Sequence, residues 1–296
     1  MSADHHHQHR QQPPPAPHLP PPFLPTPSIA NLRDAAHGLR TVRSNILLRS
    51  ADPSRADADA LALLRALRCS RVFDLRSKPE IEARGGAREE WGNGEGGRVK
   101  IERVWCPVFE ESDYSPERIA VRFEMYGREG VEGVVAAYAD ILSHAGPAFA
   151  TVFRHIASQA SSSQPDALLV HCTAGKDRTG LFVALLLSML GVDDERVADE
   201  YALTDVGMAH VRPFFVAHLL ESPAFKDDPE GAERMVRSRK ENMLATLAMV
   251  REKYGGAEAY MRTVCGLSED EIERIRQVMI VSEKQDGDED TQKAAL

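Results

Sequence analysis

The sequence has 296 residues, of which 43% are hydrophobic, and a formal net charge of −9. This length and composition favour one large α/β domain or two small ones. The negative charge argues against a nucleic-acid-binding protein, so an anionic substrate would need a local basic pocket. The four cysteines are widely spaced, which favours a reducing compartment such as the cytoplasm over a disulfide framework. No signal peptide is evident, and the longest apolar stretch, Leu181 to Leu187, is too short to span a bilayer.

Both ends of the chain have the composition of disordered tails. Residues 1–28 contain a histidine cluster and two proline triplets, and residues 282–296 are polar and acidic. Such segments cannot bury enough apolar surface to offset the loss of chain entropy on folding. The folded domain is therefore predicted to span residues 29–281.

Short apolar runs alternate with longer segments of helical period inside this domain. Such alternation is typical of an α/β fold. The segment 117–160 is also a candidate lid over a pocket, and the glycine-rich segment 85–98 is predicted to be an exposed loop. Ser268 and Glu271 have the spacing of a capping box at the last helix. Strands are predicted at 46–48, 71–77, 99–109 and 167–170, and helices at 56–67, 117–143, 147–160, 178–190, 193–204, in pieces over 206–240, and at 241–254 and 268–276.

The most informative segment joins the strand at 167–170 to the helix that follows Arg178 and ends at Gly191. Cys172 and Arg178 lie between them in a Cys-x5-Arg arrangement. A strand, a tight loop and a helix N-terminus make an anion site, because the loop amides converge and the helix dipole favours negative charge. A nucleotide P-loop is excluded, since Val170 and Asp177 stand where it needs a glycine and a hydroxyl residue.

The residue types in this loop predict nucleophilic chemistry at sulfur. The thiolate of Cys172 is the expected nucleophile, and it is favoured by the loop amides and by positive charge on Lys176, Arg178 and a protonated His171. Arg178 offers a planar fork for two phosphoryl oxygens.

Two further side chains have expected roles in the same reaction. Thr179 can donate a hydrogen bond to the sulfur as it leaves, and Asp177 can protonate the leaving oxygen. The phosphoryl group itself would be bound by the loop residues Thr173, Ala174, Gly175, Lys176 and Arg178.

The segment His171 to Gly180 reads HCTAGKDRTG and resembles the loop of the tyrosine/serine phosphatases of the cysteine-dependent superfamily. That branch includes bacterial and fungal enzymes that act on phosphotyrosine and, in some members, on phosphoinositides. The resemblance extends over roughly residues 29–281. It implies a single protein tyrosine phosphatase-like domain with a short, mostly parallel central sheet flanked by helices. It also implies a phosphocysteine intermediate, no metal or other cofactor, and phosphorylated proteins (phosphotyrosine, phosphoserine or phosphothreonine) or phosphoinositides as substrates.

The same resemblance covers the N-terminal third of the domain. Asp74-Leu75-Arg76 matches a motif that borders the active site, which makes Arg76 a candidate second phosphate contact and Asp74 a residue that orients an arginine. Glu80 and Glu82 are interpreted as solvent-exposed charges at a helix start. A second motif contains Arg33, Asp34 and Arg49, which form either a structural ion-pair set or part of the phosphate pocket.

Several alternatives remain open at this point. The acidic residues Glu110, Glu111 and Asp113 are rivals to Asp177 as the general acid. A non-catalytic phosphate-binding module would keep the same pocket without turnover, and a sulfur-transfer domain of similar topology also uses a loop cysteine. Arg178 and Thr179 after Cys172 favour phosphate over sulfur transfer. The sequence gives no indication of the oligomeric state.

Overall fold

A five-stranded sheet in the order β1-β2-β5-β3-β4 forms the centre of the protein. The computed structural model describes residues 15, 17–88, 91, 99–114 and 116–281, with the backbone alone at 114, 116 and 117. β1 is antiparallel to β2, and the other neighbouring strands are parallel. The strands are β1 (Arg33–Asp34), β2 (Leu47–Ser50), β3 (Cys69–Asp74), β4 (Glu102–Trp105) and β5 (Ala167–His171). The prediction of a short, mostly parallel sheet flanked by helices is confirmed.

Helices cover both faces of this sheet. The central strand β5 is buried along its whole length, as expected of a parallel strand with helices on both sides. The helices are α1 (Ala58–Ala66), α2 (Lys78–Ala83), α3 (Pro116–Gly127), α4 (Glu132–His144), α5 (Gly146–Ser158), α6 (Asp177–Met189), α7 (Asp194–Ala202), α8 (Thr204–Gly207), α9 (Arg212–Leu220), α10 (Pro229–Val236), α11 (Lys240–Tyr254), α12 (Ala257–Thr263) and α13 (Glu269–Met279).

Alternate residues of each strand supply two separate cores. Leu168 and Val170 pack into the larger core with α4, α5 and α6, whereas Leu169 between them packs into the smaller core with α1. Leu47 and Leu48 divide in the same way. The two-residue period of a strand produces this division, since successive side chains point to opposite faces.

The strand register brings three strand ends to one edge of the sheet. His171 at the end of β5 pairs with Ser50 at the end of β2 and with Asp74 at the end of β3. The loop after His171 therefore begins at the carboxyl edge of parallel strands, between two neighbouring strand ends. This edge is where open α/β sheets bind ligands.

Two predicted elements differ from the structure. The strand predicted over 99–109 is confined to β4, and the helix predicted over 117–143 is divided into α3 and α4. Gly130 between these helices has a φ of 78°, a left-handed conformation that only glycine adopts without cost. Gly133 lets α4 start against α3, because a Cβ there would lie 2.0 Å from the carbonyl oxygen of Met125. α4 and α5 pack into the larger core, as the buried residues Tyr138 and Phe149 show.

The packed structure begins ahead of the predicted boundary at Ile29. Phe23 is 8% exposed and pairs with Arg33 in an isolated β-bridge. Of the predicted exposed loop 85–98, residues 85–88 and Trp91 are described. Trp91 is 3% exposed and packs into the smaller core, so the prediction is wrong at this position. The histidine cluster, residues 89–90 and 92–98 and the tail from 282 lie outside the described residues. The capping box of Ser268 and Glu271 is present as predicted. None of the helices in the described ranges combines the length and apolar character needed to cross a bilayer.

Phe182 on α6 provides a test of this packing. Its ring is fully buried, stacked on Phe153 at 4.7 Å and edge-on to Phe149 at 5.4 Å. We expect Phe182→Ala to lower the free energy of unfolding by about 3–5 kcal/mol, because it leaves a cavity among these rings. Urea titration followed by circular dichroism measures this change. The control is Phe214→Ala on α9, whose ring is 36% exposed, and a loss for Phe182→Ala as small as in this control would contradict the packing.

Candidate active site

The loop between β5 and α6 is tightly folded against the end of β2. Cys172 is 2% exposed, and Gly175 has a φ of 65°. A Cβ at Gly175 would lie 2.1 Å from the carbonyl oxygen of Ser50. Only glycine fits here, because both the left-handed conformation and the close backbone approach exclude a side chain. The predicted anion-binding loop therefore has the conformation in which its amides can converge on a ligand.

This loop forms one wall of a cavity of about 370 Å³. Cys172, Thr173, Ala174, Lys176, Asp177 and Arg178 all line it. The opposite walls are largely apolar and come from α3, α4, α9, α10, the segment after β4 and the turn after α8. Their main apolar members are Phe109, Ile119, Phe123, Tyr126, Ile141, Met208, Phe215, Leu219, Met235 and Val236.

The guanidinium of Arg178 is held in a bidentate ion pair by Glu80. Nη1 donates to Oε2 at 2.6 Å and Nη2 donates to Oε1 at 2.5 Å. The hydroxyl of Thr173 donates to the same carboxylate at 2.8 Å. Paired forks of this kind fix both the position and the plane of an arginine. The expectation that Glu80 is a solvent-exposed charge is therefore wrong, whereas Glu82 is exposed as predicted.

The position of Glu80 follows from the start of α2. Ser77 and Glu80 form a capping box, in which the Ser77 amide donates to Glu80 at 3.0 Å. A capping box turns the carboxylate of its third residue back toward the helix start. That start directly follows the edge of β3, so the carboxylate points at the loop. The Ser-x-x-Glu spacing after the Asp-Leu-Arg motif was the signal available in the sequence.

Arg33 and Arg49 both form ion pairs with Glu200 next to the loop. Nε of Arg33 donates to Oε1 of Glu200 at 2.7 Å, and Nη1 of Arg49 donates to Oε2 at 2.5 Å. Arg49 also donates to the carbonyl oxygen of Gly175 at 2.6 Å, and Asn31 donates to that of Ala174 at 3.2 Å. Of the two interpretations left open by the sequence, the structure favours the ion-pair set for both arginines, since neither lines the cavity.

Asp34, the third member of that group, makes backbone contacts instead. Its carboxylate accepts the amides of Ala36 at 3.0 Å and Asn45 at 2.9 Å. It thereby shapes the turn between β1 and β2.

Asp74 and Arg76 form a buried pair at the end of β3. Arg76 donates to Asp74 through Nε at 2.9 Å and Nη2 at 2.8 Å, and its Nη1 lies 2.5 Å from Asp52. Burial opposes ionisation of Asp74, but the nearby His171 and the hydrogen bonds and charge of Arg76 hold its pKa well below the ordinary value. Asp74 thus orients an arginine, as expected. Arg76 is 1% exposed and does not line the cavity, so its role as a second phosphate contact stays a prediction.

His171 is buried between the loop and Asp74. It is 1% exposed, and burial lowers its pKa below the ordinary value, against the opposing effect of the Asp74 carboxylate. Its Nδ1 lies 3.1 Å from the carbonyl oxygen of Cys172, and its Nε2 lies 3.7 Å from Oδ1 of Asp74. The imidazole thus contacts the backbone of Cys172, and its positive charge stays a prediction.

Among the acid candidates, Asp177 alone of the four lines the cavity. Its side chain is 26% exposed. Asp113 accepts the Glu110 amide at 3.0 Å and pairs with Arg118 at 2.5 Å, while Glu111 is exposed beside Lys78. A general acid must reach the leaving oxygen, so the position of Asp177 in the cavity wall agrees with the prediction that it is the acid.

The remaining loop side chains differ in how they are engaged. The ammonium of Lys176 donates to the carbonyl oxygens of Met235 and Arg237, and it lies 3.3 Å from Asp177. Oγ1 of Thr179 is buried, and within the described ranges it has no hydrogen-bond partner. The hydroxyl predicted to donate to sulfur is thus not used elsewhere in the fold.

Comparison with known proteins agrees with this site. The chain matches the tyrosine phosphatase family over residues 24–281. It is 31% identical over 265 residues to a tyrosine-protein phosphatase of Nostoc commune, which covers 82% of this chain and 77% of the relative. It is 25% identical over 283 residues to the triple specificity protein phosphatase PtpB of Mycobacterium tuberculosis, which covers 86% of this chain and 98% of the relative.

A solved structure of P. aeruginosa TpbA, a substituted form in complex with phosphotyrosine, shares 19% identity with a TM-score of 0.25 and covers 77% of this chain and 99% of that one. The family match spans most of the sequence. The chain therefore belongs to the tyrosine phosphatase family. It is a cysteine-based, metal-independent protein tyrosine phosphatase.

The Glu80–Arg178 pair generates a direct test. We expect Glu80→Gln to lower kcat/KM for aryl phosphates by roughly 10–100-fold, because it leaves Arg178 partly buried without its counter-charge and free to change its plane. Steady-state kinetics and circular dichroism of the folded variant measure this. The matched control is Glu82→Gln on the same helix. Equal kinetics for the two variants would show that Glu80 does not position Arg178.

The four cysteines are predicted to differ in reactivity. Burial raises the pKa of Cys69, Cys106 and Cys265 to about 12 in each case, so only about 1 in 10,000 of each is thiolate at pH 8. Cys172 lines the open cavity. We expect iodoacetamide at pH 8 to modify Cys172 alone in the native protein and to inactivate it, as read by peptide mass spectrometry. Labelling of the other three at the same rate would contradict the raised pKa of their thiols.

Proposed function

We propose that this protein hydrolyses phosphotyrosine in proteins through a phosphocysteine intermediate at Cys172. The observation that carries the proposal is that Cys172, Asp177 and Arg178 line one cavity. A nucleophile, an acid and an oriented phosphate ligand within one pocket are the groups that cysteine-dependent phosphoryl transfer requires.

The first step transfers the phosphoryl group to sulfur. The Cys172 thiolate attacks phosphorus, an S–P bond forms, and the P–O bond to tyrosine breaks. Asp177 gives its proton to the phenolic oxygen, which leaves as neutral tyrosine. Arg178 and the loop amides bind the equatorial oxygens while charge spreads over them.

The second step releases phosphate. A water molecule attacks phosphorus, gives a proton to the Asp177 carboxylate, and breaks the S–P bond. The Thr179 hydroxyl, which has no partner among the described residues, donates to the sulfur as it regains its charge. The enzyme returns with a thiolate at Cys172 and a protonated Asp177. The thiol must stay reduced, which is consistent with a cytoplasmic location.

The cavity walls support phosphotyrosine as the preferred substrate. The rings of Phe109, Phe123, Tyr126 and Phe215 line it, and aromatic walls suit the phenyl ring of a phosphotyrosine better than the shorter aliphatic phosphoserine. Cationic side chains offset the net charge of −9 locally. Those that line the cavity are Arg84, Arg122, Lys176, Arg178 and Arg212, against Glu80 and Asp177.

Phosphoinositides are a second candidate. The M. tuberculosis relative is named a triple specificity protein phosphatase, and the Lys176–Asp177 pair resembles that of enzymes that accept inositol lipids. Against this, the Lys176 ammonium is engaged by carbonyl oxygens, and the net charge opposes approach to an anionic membrane. A side-by-side assay decides between the substrates.

That assay measures phosphate release from a phosphotyrosine peptide, a phosphoserine peptide and phosphoinositide vesicles, with a chelator present. We expect the phosphotyrosine peptide to have the highest kcat/KM. Cys172→Ser should lose about 1000-fold or more while still binding phosphate. Cys265→Ser, which removes a buried thiol outside the cavity, is the control. Binding without release by the native protein would favour the non-catalytic module, and thiosulfate turnover would favour sulfur transfer.

The acid is tested separately by the leaving group. Asp177→Asn should lower kcat/KM for phenyl phosphate by about 100-fold or more, and much less for p-nitrophenyl phosphate, whose leaving group needs no proton. Equal rates of variant and native enzyme with phenyl phosphate would move the role to Asp113 or Glu111.

A further inference from the structure

Two buried tyrosines lie behind Asp177, in line with its carboxylate. The hydroxyl of Tyr138 on α4 donates to Oδ1 of Asp177 at 2.8 Å. The hydroxyl of Tyr201 on α7 lies 2.6 Å from that of Tyr138. The two rings meet edge to face, with centroids 6.4 Å apart. Neither tyrosine lines the cavity, so neither can touch a substrate bound there.

The fold makes room for this pair at the first turn of α6. Gly180 lies three residues after Asp177, on the same face of the helix. A Cβ at Gly180 would lie 3.1 Å from the ring of Tyr201. The missing side chain lets that ring pack against α6, one turn from Asp177. Tyr138 and Tyr201 are 0% and 1% exposed, so water does not compete for their hydroxyls.

The direction of the hydrogen bonds follows from counting protons. Each phenol has one proton to donate, and burial, with the nearby charge of Asp177, raises the pKa of both phenols above the ordinary value. An ionised Asp177 can only accept. Both phenolic protons are then used only if Tyr201 donates to Tyr138 and Tyr138 donates to Asp177. The same order also suits a protonated Asp177, provided that its proton is on Oδ2.

A second donor approaches the same oxygen. Nζ of Lys176 lies 3.3 Å from Oδ1 of Asp177. The ammonium is itself fixed by the carbonyl oxygens of Met235 and Arg237. Tyr126 in the cavity wall also hydrogen-bonds to Asp177. Because Oδ1 is engaged by Tyr138 and Lys176, we place the proton that is transferred on Oδ2.

We infer that Tyr138 and Tyr201 are positioning residues for phosphate ester hydrolysis, which hold the Asp177 carboxyl group so that Oδ2 delivers its proton to the leaving oxygen. The inference rests on the proposed role of Asp177 as the general acid. The tyrosines keep their own protons throughout the reaction. Tyr138 acts on Asp177 directly, and Tyr201 acts through Tyr138. A purely structural pair would contribute to stability but not to the dependence of the rate on the leaving group.

The test uses Tyr138→Phe, which removes the hydroxyl and keeps the ring. We expect kcat/KM for phenyl phosphate to fall about 10-fold, part of the 100-fold or more that a general acid contributes. For p-nitrophenyl phosphate we expect a change of less than about 2-fold, because that leaving group departs without a proton. Tyr201→Phe should show the same pattern with a smaller loss. The double variant should be no worse than Tyr138→Phe, since the residues act in series.

Tyr260→Phe is the matched control. Tyr260 is also fully buried, and its hydroxyl donates to the carbonyl oxygen of Leu142 at 2.6 Å. It matches the loss of a buried phenolic hydroxyl at a site without contact to Asp177. We expect its two kcat/KM values to keep the native ratio. Thermal unfolding of all variants separates loss of fold from loss of rate.

Asp177→Asn, measured with the same two substrates, separates the acid role of Asp177 from the positioning role of the tyrosines. If Asp177→Asn loses activity selectively with phenyl phosphate while Tyr138→Phe keeps the native ratio, the positioning role is overturned and the acid assignment stands. If Asp177→Asn itself keeps the native ratio, the acid assignment fails and the tyrosine role fails with it. A Tyr138→Phe loss that is equal for both substrates would also contradict the positioning role.

Discussion

Positive charge buried at the sheet edge must be matched by carboxylates, and this constraint governs the construction of the site. Arg33, Arg49 and Arg76 are at most 1% exposed, and Arg178 is 9% exposed. Removing one partner from a buried ion pair costs about 3–5 kcal/mol, so each arginine needs a carboxylate in place. Glu200 serves two of them, Asp74 with Asp52 serves Arg76, and Glu80 serves Arg178. The carboxylates lie on different elements, such as Glu200 on α7 and Glu80 on α2. The ion pairs therefore hold these elements next to the loop.

The buried arginines and the arginine that faces the cavity therefore make different contacts. Arg49, which is fully buried, holds the loop backbone at the carbonyl oxygen of Gly175. Arg178 faces the cavity with its plane set by Glu80. The apolar walls lower the local dielectric and so strengthen the electrostatic interactions of the few charges exposed there. An acidic protein can in this way present a locally cationic pocket to a phosphate ester.

Much of the fold and the central loop could be predicted from local sequence, because their signals are short in range. The apolar run of β5, the Cys-x5-Arg spacing and the length of α6 each occupy a few consecutive residues, and together they placed the anion site. The partners of that loop could not be predicted, since they depend on register. Glu80 and Arg178 are 98 positions apart in the chain, and Glu200 is 151 positions from Arg49. The charge of His171 depends on burial and on Asp74, and both are properties of the packed sheet and not of the local sequence. Nothing in the local sequence indicated that the hydroxyl of Tyr138 meets Asp177.

The measurement that tests the account most directly is a rapid denaturing quench during turnover of a phosphotyrosine peptide. Mass spectrometry of the quenched enzyme then locates any phosphoryl group. We expect a phosphoryl group on the sulfur of Cys172, formed and lost at rates compatible with turnover. Steady release of phosphate with no phosphoryl group on Cys172 at any time would contradict the phosphocysteine mechanism.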